Sequence, residues 1–276
     1  MTTELRIVHL FPELLNLYAD QGNIAVLRSR AEGRGLSFTV RQVKLGQPLH
    51  LENADLLILG GGSDREQAVV AREMQRYKED MAQAVDAGLP LLAVCGGYQL
   101  LGKYYELQSG ERIEGLGLVD LVTRAGNTRL IGNIAIHWKQ DVEYSIGGGF
   151  ASSSRLTNAH ASGNRDESLP HTVVGFENHA GRTYHDYDPL GSVLKGGGNN
   201  GQDQREGLQY KGILGTYIHG PLLPKNPHIA DHLLKMALAY QGMPAELPAL
   251  NDQLEWHAHR HILSMLGISK GEVNDV

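Results

Sequence analysis

Leu91-Leu-Ala-Val-Cys-Gly-Gly-Tyr-Gln-Leu-Leu101 decides the reading of this chain: an apolar run meets a glycine pair and a helix-like stretch, with the only cysteine, Cys95, at the junction. Leu89 to Val94 reads as a buried parallel strand and Tyr98 to Tyr105 as the start of a helix, so Cys95 falls on the turn between them. A sharp strand-to-helix turn exposes its side chain. It also aims the Gly96 and Gly97 N–H groups and the positive end of a helix dipole at the sulfur, which favours the thiolate. Cys95 is therefore a candidate nucleophile, set against the plainer reading of a small buried hydrophobe.

Outward from that stretch, the first hundred residues alternate apolar runs with helical ones. Strands are predicted at Leu5–Phe11, Leu36–Leu45, Ala54–Leu59 and Leu89–Val94, and helices at Asn23–Arg34 and Glu66–Ala87. Such alternation implies an α/β fold with a parallel central sheet and helices on both faces. Ligands collect at the carboxyl ends of such strands, where three unusual loops would share one rim: Leu17–Asn23, Gly60-Gly-Gly-Ser-Asp-Arg-Glu-Gln67 and Cys95–Gly97. After Lys103 the pieces are shorter and look antiparallel: Leu116–Thr123, Ile131–Ile136, Thr172–Phe176, Ser192–Leu194 and Gly212–Tyr217. The polar, glycine-rich 145–170 stretch reads as an insertion loop. Lys195-Gly-Gly-Gly-Asn-Asn-Gly-Gln-Asp203 reads as a surface hairpin turn. Helices close the chain at His228–Tyr240 and Asp252–Leu266, the whole forming a single domain over 1–276.

With 276 residues and one cysteine, the chain is long enough for a self-sufficient core and can form no internal disulfide. Cytoplasmic location is expected, and zinc sites built on several thiolates are excluded. No stretch suits a membrane span or a signal peptide. A net charge of −6 without a basic cluster argues against nucleic acid and for small molecules or a protein partner.

Thiolate chemistry needs a base and an oxyanion hole. His219, in Gly215-Thr-Tyr-Ile-His-Gly-Pro-Leu-Leu-Pro-Lys-Asn226, is the best-placed base, at a strand end and followed by glycine and proline. Gly96 is one oxyanion donor, and the turn containing Gly61 and Gly62 offers the second. That triple glycine could instead hold phosphate, although no P-loop lysine follows it. Glu177 and His179, two apart on a strand, allow an alternative Cys95–His179–Glu177 set. His257 and His261 share a helical face but lack a carboxylate motif, so no metal site is expected.

Two separate motifs then carry a resemblance. Cys95-Gly-Gly-Tyr-Gln99 resembles the C-x-G-x-Q elbow of class I glutamine amidotransferases, and Gly215-Thr-Tyr-Ile-His-Gly220 resembles the histidine segment of their cobyric-acid-synthase-like branch. Asn16–Asn23, Gly60–Gln67, Gly175–Tyr184 and His219–Asn226 are similar to the glutaminase subunits of lipid II isoglutaminyl synthases. The resemblance implies a flavodoxin-like class I glutamine amidotransferase fold with antiparallel additions. It further implies a glutaminase that hydrolyses L-glutamine and passes ammonia to a Mur-ligase-like partner in a heterodimer, for peptidoglycan biosynthesis. On this reading Cys95 is the nucleophile, His219 its base, Arg129 the clamp for the glutamine carboxylate and Gln99 an anchor of elbow or substrate. No cofactor is expected in this chain, ATP and Mg belonging to the partner. Membrane contact would be indirect, through lipid II, with peripheral recruitment to the inner membrane face. Pro221 stands where many class I enzymes carry an acid, so the third triad member is open between a carbonyl, Glu177 and an acid of the partner. Alternatives are a glutaminase for cobyrinic or cobyric acid amidation and a DJ-1-like thiol hydrolase or redox protein.

Overall fold

The apolar runs of the first hundred residues form the parallel strands they predict. A computed structural model describes residues 3–16, 21–139, 143–146, 149–152 and 171–269. Strand β1 (Glu4–Leu10) pairs in parallel with β2 (Ser37–Val43) and β3 (Leu56–Leu59), and β3 pairs in parallel with β4 (Leu91–Val94). Both β3 and β4 are buried along their whole length. Helix α1 (Gln21–Glu32) makes the first crossover, while α2 (Asp64–Met74) and α3 (Lys78–Asp86) make the second. The one helix expected over Glu66–Ala87 is thus two. Between them Gln75–Tyr77 tightens into a 3₁₀ turn, where the Tyr77 ring is buried and its hydroxyl donates to the Gln47 carbonyl at 2.7 Å.

Helix α4 (Gly96–Leu100) is shorter than the expected Tyr98–Tyr105 helix. Its Leu100 and Leu101 carbonyls accept the N–H groups of Leu116 and Leu118, at 2.8 and 2.9 Å, which seals its end. That is why Leu116–Leu121, expected to be extended, is instead a loop with Leu116, Val119 and Leu121 buried.

A second sheet follows. It comprises β5 (Tyr104–Glu106), β6 (Arg112–Glu114), the long β7 (Val122–Trp138), β10 (Thr172–Tyr184), β11 (Gly191–Lys195) and β12 (Arg205–Glu206). A separate hairpin joins β8 (Glu143–Ile146) to β9 (Gly149–Ser152). The rest of the expected 145–170 insertion lies outside the described residues. The glycine-rich 196–203 segment does turn the β11–β12 hairpin, but it folds inward: Asn199 and Asn200 are only 1% and 5% exposed.

The chain then returns to the first sheet. Strand β13 (Leu208–Tyr210) is antiparallel to β14 (Ile213–Thr216), which lies parallel to β4, against the antiparallel expectation for this half. The sheet order is β13-β14-β4-β3-β1-β2. Helices α5 (Pro227–Tyr240) and α6 (Gln253–Met265) close the fold. Among the described residues no helix is long and apolar enough to cross a membrane.

Candidate functional site

Sheet register places the candidate residues together. Ala93 of β4 pairs with Leu59 of β3, and Val94 pairs with Thr216 of β14. Each strand therefore releases its next residues at one rim: Gly60–Gly62, Cys95 and Tyr217–His219. This is the carboxyl edge at which open α/β sheets bind ligands.

Cys95 has φ 51° and ψ −109°, a conformation that non-glycine residues seldom adopt and that stores strain at nucleophile elbows; against the expectation that the turn exposes it, the residue is only 5% exposed. Its N–H donates to the Thr216 carbonyl at 2.8 Å and its own carbonyl accepts from Gln99 N–H at 3.1 Å. Gly97 must lack a side chain, because a Cβ there would sit 2.4 Å from the Leu59 carbonyl oxygen. Next to the elbow, Ser63 and Glu66 form a capping box on α2 (Ser63 N–H to Glu66 Oε2, 2.8 Å). Buried Gln67 donates to the Gly62 carbonyl at 3.1 Å and lies against Gly96, fixing the glycine turn against the elbow.

His219 is 1% exposed, and its backbone exchanges hydrogen bonds with Phe176 at 2.9 and 3.1 Å. Burial, with smaller contributions from His179, Arg129 and Lys225, pulls its pKa down to about 4. The ring is neutral at physiological pH and able to accept a proton. The loop beyond it is braced by α1, where Asn23 accepts the Leu223 N–H at 2.9 Å.

Arg129 stands on a break in the ladder. The β7–β10 register jumps from Leu130↔His179 to Ala125↔Gly181, so residues 126–129 bulge out of the sheet. Arg182 holds the bulge through the Thr128 carbonyl at 2.9 Å. Arg129 itself donates to the Asn178 side-chain and backbone oxygens at 2.7 and 2.8 Å. Its charge reaches His219, Asp64 and Tyr105.

Gln99 is buried and donates to the Tyr217 hydroxyl at 3.0 Å. That hydroxyl also bonds Thr183 Oγ1 at 2.6 Å, and the Tyr217 ring stacks on His179 at 3.6 Å. Glu177 and His179 do share the buried face of β10, as their spacing predicts. The Glu177 carboxylate accepts the Gly197 and Gly198 N–H groups at 2.6 and 3.0 Å and lies 3.6 Å from His179 Nε2. His179 donates through Nδ1 to the Gly181 carbonyl at 2.8 Å. Glu206, which no sequence pattern singled out, is fully buried and accepts the Tyr217 N–H at 2.7 Å. A lone acid in Arg205-Glu-Gly-Leu reads as surface charge until the β12–β13 turn is seen to fold it under β14.

In α6, His257 and His261 are exposed, whereas His259 is buried between Thr172 Oγ1 (2.8 Å) and the Lys225 carbonyl (2.7 Å). Among the described residues no group of three or more His, Cys, Asp or Glu could hold a metal ion.

A cysteine elbow, a strand-end histidine segment and a glycine turn thus lie on one rim of an α/β sheet, the arrangement expected of a glutamine amidotransferase. The chain belongs to the CobB/CobQ-like glutamine amidotransferase domain family, which matches residues 6–227. It is 39% identical, over 94% of its length and 95% of the relative's, to the GatD subunit of the glutamine-hydrolysing lipid II isoglutaminyl synthase of Staphylococcus aureus (strain N315). The subunit of the same name from Streptococcus pneumoniae (strain ATCC BAA-255 / R6) is 38% identical, over 91% of this chain and 87% of that one. Among solved structures, one described as a glutamine amidotransferase superposes with a TM-score of 0.51 at 14% identity, covering 83% of this chain and 98% of the other, a likeness of fold.

Proposed function

We propose that this chain is the glutaminase subunit of a lipid II isoglutaminyl synthase. The observation that supports the reading is the β14–β4 register, which ends both strands at Val94 and Thr216, so that Cys95 and the segment leading to His219 leave the sheet at the same rim. The similarity to two GatD subunits over nearly the whole chain supports the acceptor.

His219 takes the Cys95 thiol proton as the sulfur attacks the side-chain amide carbon of L-glutamine. Negative charge develops on the amide oxygen, where the N–H of Gly96 and one from Gly61 or Gly62 receive it. Collapse breaks the carbon–nitrogen bond, and the imidazolium returns its proton to the leaving nitrogen, releasing ammonia. Water then attacks the thioester with His219 again as base, freeing glutamate and restoring the thiol. Arg129 holds the α-carboxylate of the substrate, and Gln99 anchors the elbow through Tyr217. Glu177 orients the site through His179, or an acid of the partner completes the triad. Ammonia passes to a Mur-ligase-like synthetase subunit, which activates the D-glutamate α-carboxylate of lipid II with ATP and Mg. The heterodimer works in the cytoplasm and meets the membrane through its lipid substrate.

Incubation with a glutamine-mimicking chloroketone, read by mass spectrometry, should label Cys95 alone and be competed by glutamine. In the complex, Cys95→Ser and His219→Ala should abolish glutamine-dependent amidation and spare amidation from ammonium chloride. Loss of both activities would contradict the assignment.

A further inference from the structure

Where β4 turns away at Cys95, the end of β14 loses its neighbour, and its backbone donors must find other acceptors. The Tyr217 N–H donates to Glu206 Oε1 at 2.7 Å, and the Thr216 hydroxyl donates to the same oxygen at 2.7 Å. The Ile218 N–H in turn donates to Thr216 Oγ1 at 2.9 Å. Meanwhile the Thr216 carbonyl accepts the Cys95 N–H at 2.8 Å. One carboxyl oxygen thus fixes the segment that touches the nucleophile on one side and runs into His219 on the other.

The acid is brought there by a built approach. Gly207 has φ 64°, and a Cβ on it would lie 2.3 Å from the Gly215 carbonyl oxygen, so only glycine lets the β12–β13 turn press against β14. Asn199 brackets that glycine, accepting its N–H at 2.9 Å and donating to its carbonyl at 3.1 Å. The Tyr98 hydroxyl, on the helix that begins at the elbow, also donates to Asn199, at 3.2 Å. The circuit Cys95–Tyr98–Asn199–Gly207–Glu206–Thr216–Cys95 is closed by these contacts and by the chain itself.

We propose that Glu206 is a positioning residue for the Cys95–His219 pair, acting through Thr216 and Tyr217. The proposal rests on the roles given to Cys95 and His219 above. Burying a carboxyl completely is costly, and an apolar side chain would fill the space more cheaply. Burial pushes this one up to about 7, the Thr216 and Tyr217 hydrogen bonds pulling the other way. What an apolar residue could not do is accept the two donors that the end of β14 presents.

The test compares Glu206→Ala and Glu206→Gln in the full chain by glutamine hydrolysis, by iodoacetamide alkylation of Cys95 at pH 7, and by thermal midpoint. Glu206→Ala should lose about twentyfold in kcat with KM within about threefold, and alkylation should slow about tenfold. Glu206→Gln keeps an oxygen acceptor and should stay within about fivefold of wild type in both rates. A folded Glu206→Ala protein with unchanged kcat and alkylation would overturn the proposal, as would kcat falling only in proportion to folded protein. Should Glu206→Ala fail to fold, Thr216→Val removes one of the two donors to Glu206 and leaves the Tyr217 N–H; about fivefold lower kcat supports the role, and an unchanged rate refutes action through Thr216. If wild type hydrolyses no glutamine even with the synthetase subunit added, the glutaminase reading fails, and the alkylation comparison still decides the role of Glu206.

Discussion

Arg129 differs from its neighbours in owing its place to a defect in the sheet. Removing four residues of β7 from the ladder projects its guanidinium toward Asn178 and into electrostatic range of His219 and Asp64. A paired arginine clamps a carboxylate through two charge-assisted hydrogen bonds, so Arg129→Ala should raise KM for glutamine by about 10- to 100-fold and change kcat less. Steady-state kinetics check this, and an unchanged KM would remove Arg129 from substrate binding. Cys95, Gly96 and His219 were legible because each lies beside an apolar strand and its flanking glycines. Arg129 was legible only by resemblance, since Asn127-Thr-Arg reads locally as a turn. Glu206 was not legible at all: its significance depends on a contact across ten residues with β14, and a burial that its own neighbours in sequence do not announce.

Among the elements, the helices hold by charge as well as by apolar packing. Buried Arg30 of α1 pairs with Asp231 of α5 at 2.7 Å and with Asp252, the cap of α6, at 2.6 Å; Arg34 adds a second bond to Asp231 at 2.8 Å. Arg30→Met would leave two carboxylates poorly compensated, and a loss of about 3–5 kcal/mol is expected in urea unfolding. A change below about 1 kcal/mol would mean that water replaces the guanidinium without penalty. Strand and helix positions in the first hundred residues followed from periodicity, but where an element stops often did not. The end of α4 is set by Leu116 and Leu118, and the break before α3 by the burial of Tyr77, both of them tertiary contacts.

At the scale of the molecule, several histidines are kept neutral by burial. His9, His219 and His259 titrate at about 4 and His232 at about 3, against 6.5 for the free side chain. Between those limits the unfolded chain binds more protons than the folded one, so stability rises with pH across that window and is lost as pH falls from about 6.5 toward 4. Glu206, raised to about 7 by burial, works in the opposite sense, as does Asp64, while partly buried His137 and His185 add to the histidine side. Each unopposed histidine contributes about 1.4 kcal/mol per pH unit, so the thermal midpoint should fall by several degrees from pH 7 to pH 5. Calorimetry at the two values checks it, and an unchanged midpoint would refute it. What no local pattern could disclose is strand order. The seat of β14 beside β4 joins residues more than a hundred positions apart, and the strand that supplies His219 is the last to enter the sheet. On the ribosome, therefore, Leu91–Val94 emerges as an unpaired apolar edge and stays one until residue 216 is made. During that interval the thiol has no histidine strand beside it, and the nascent chain is at its most adhesive.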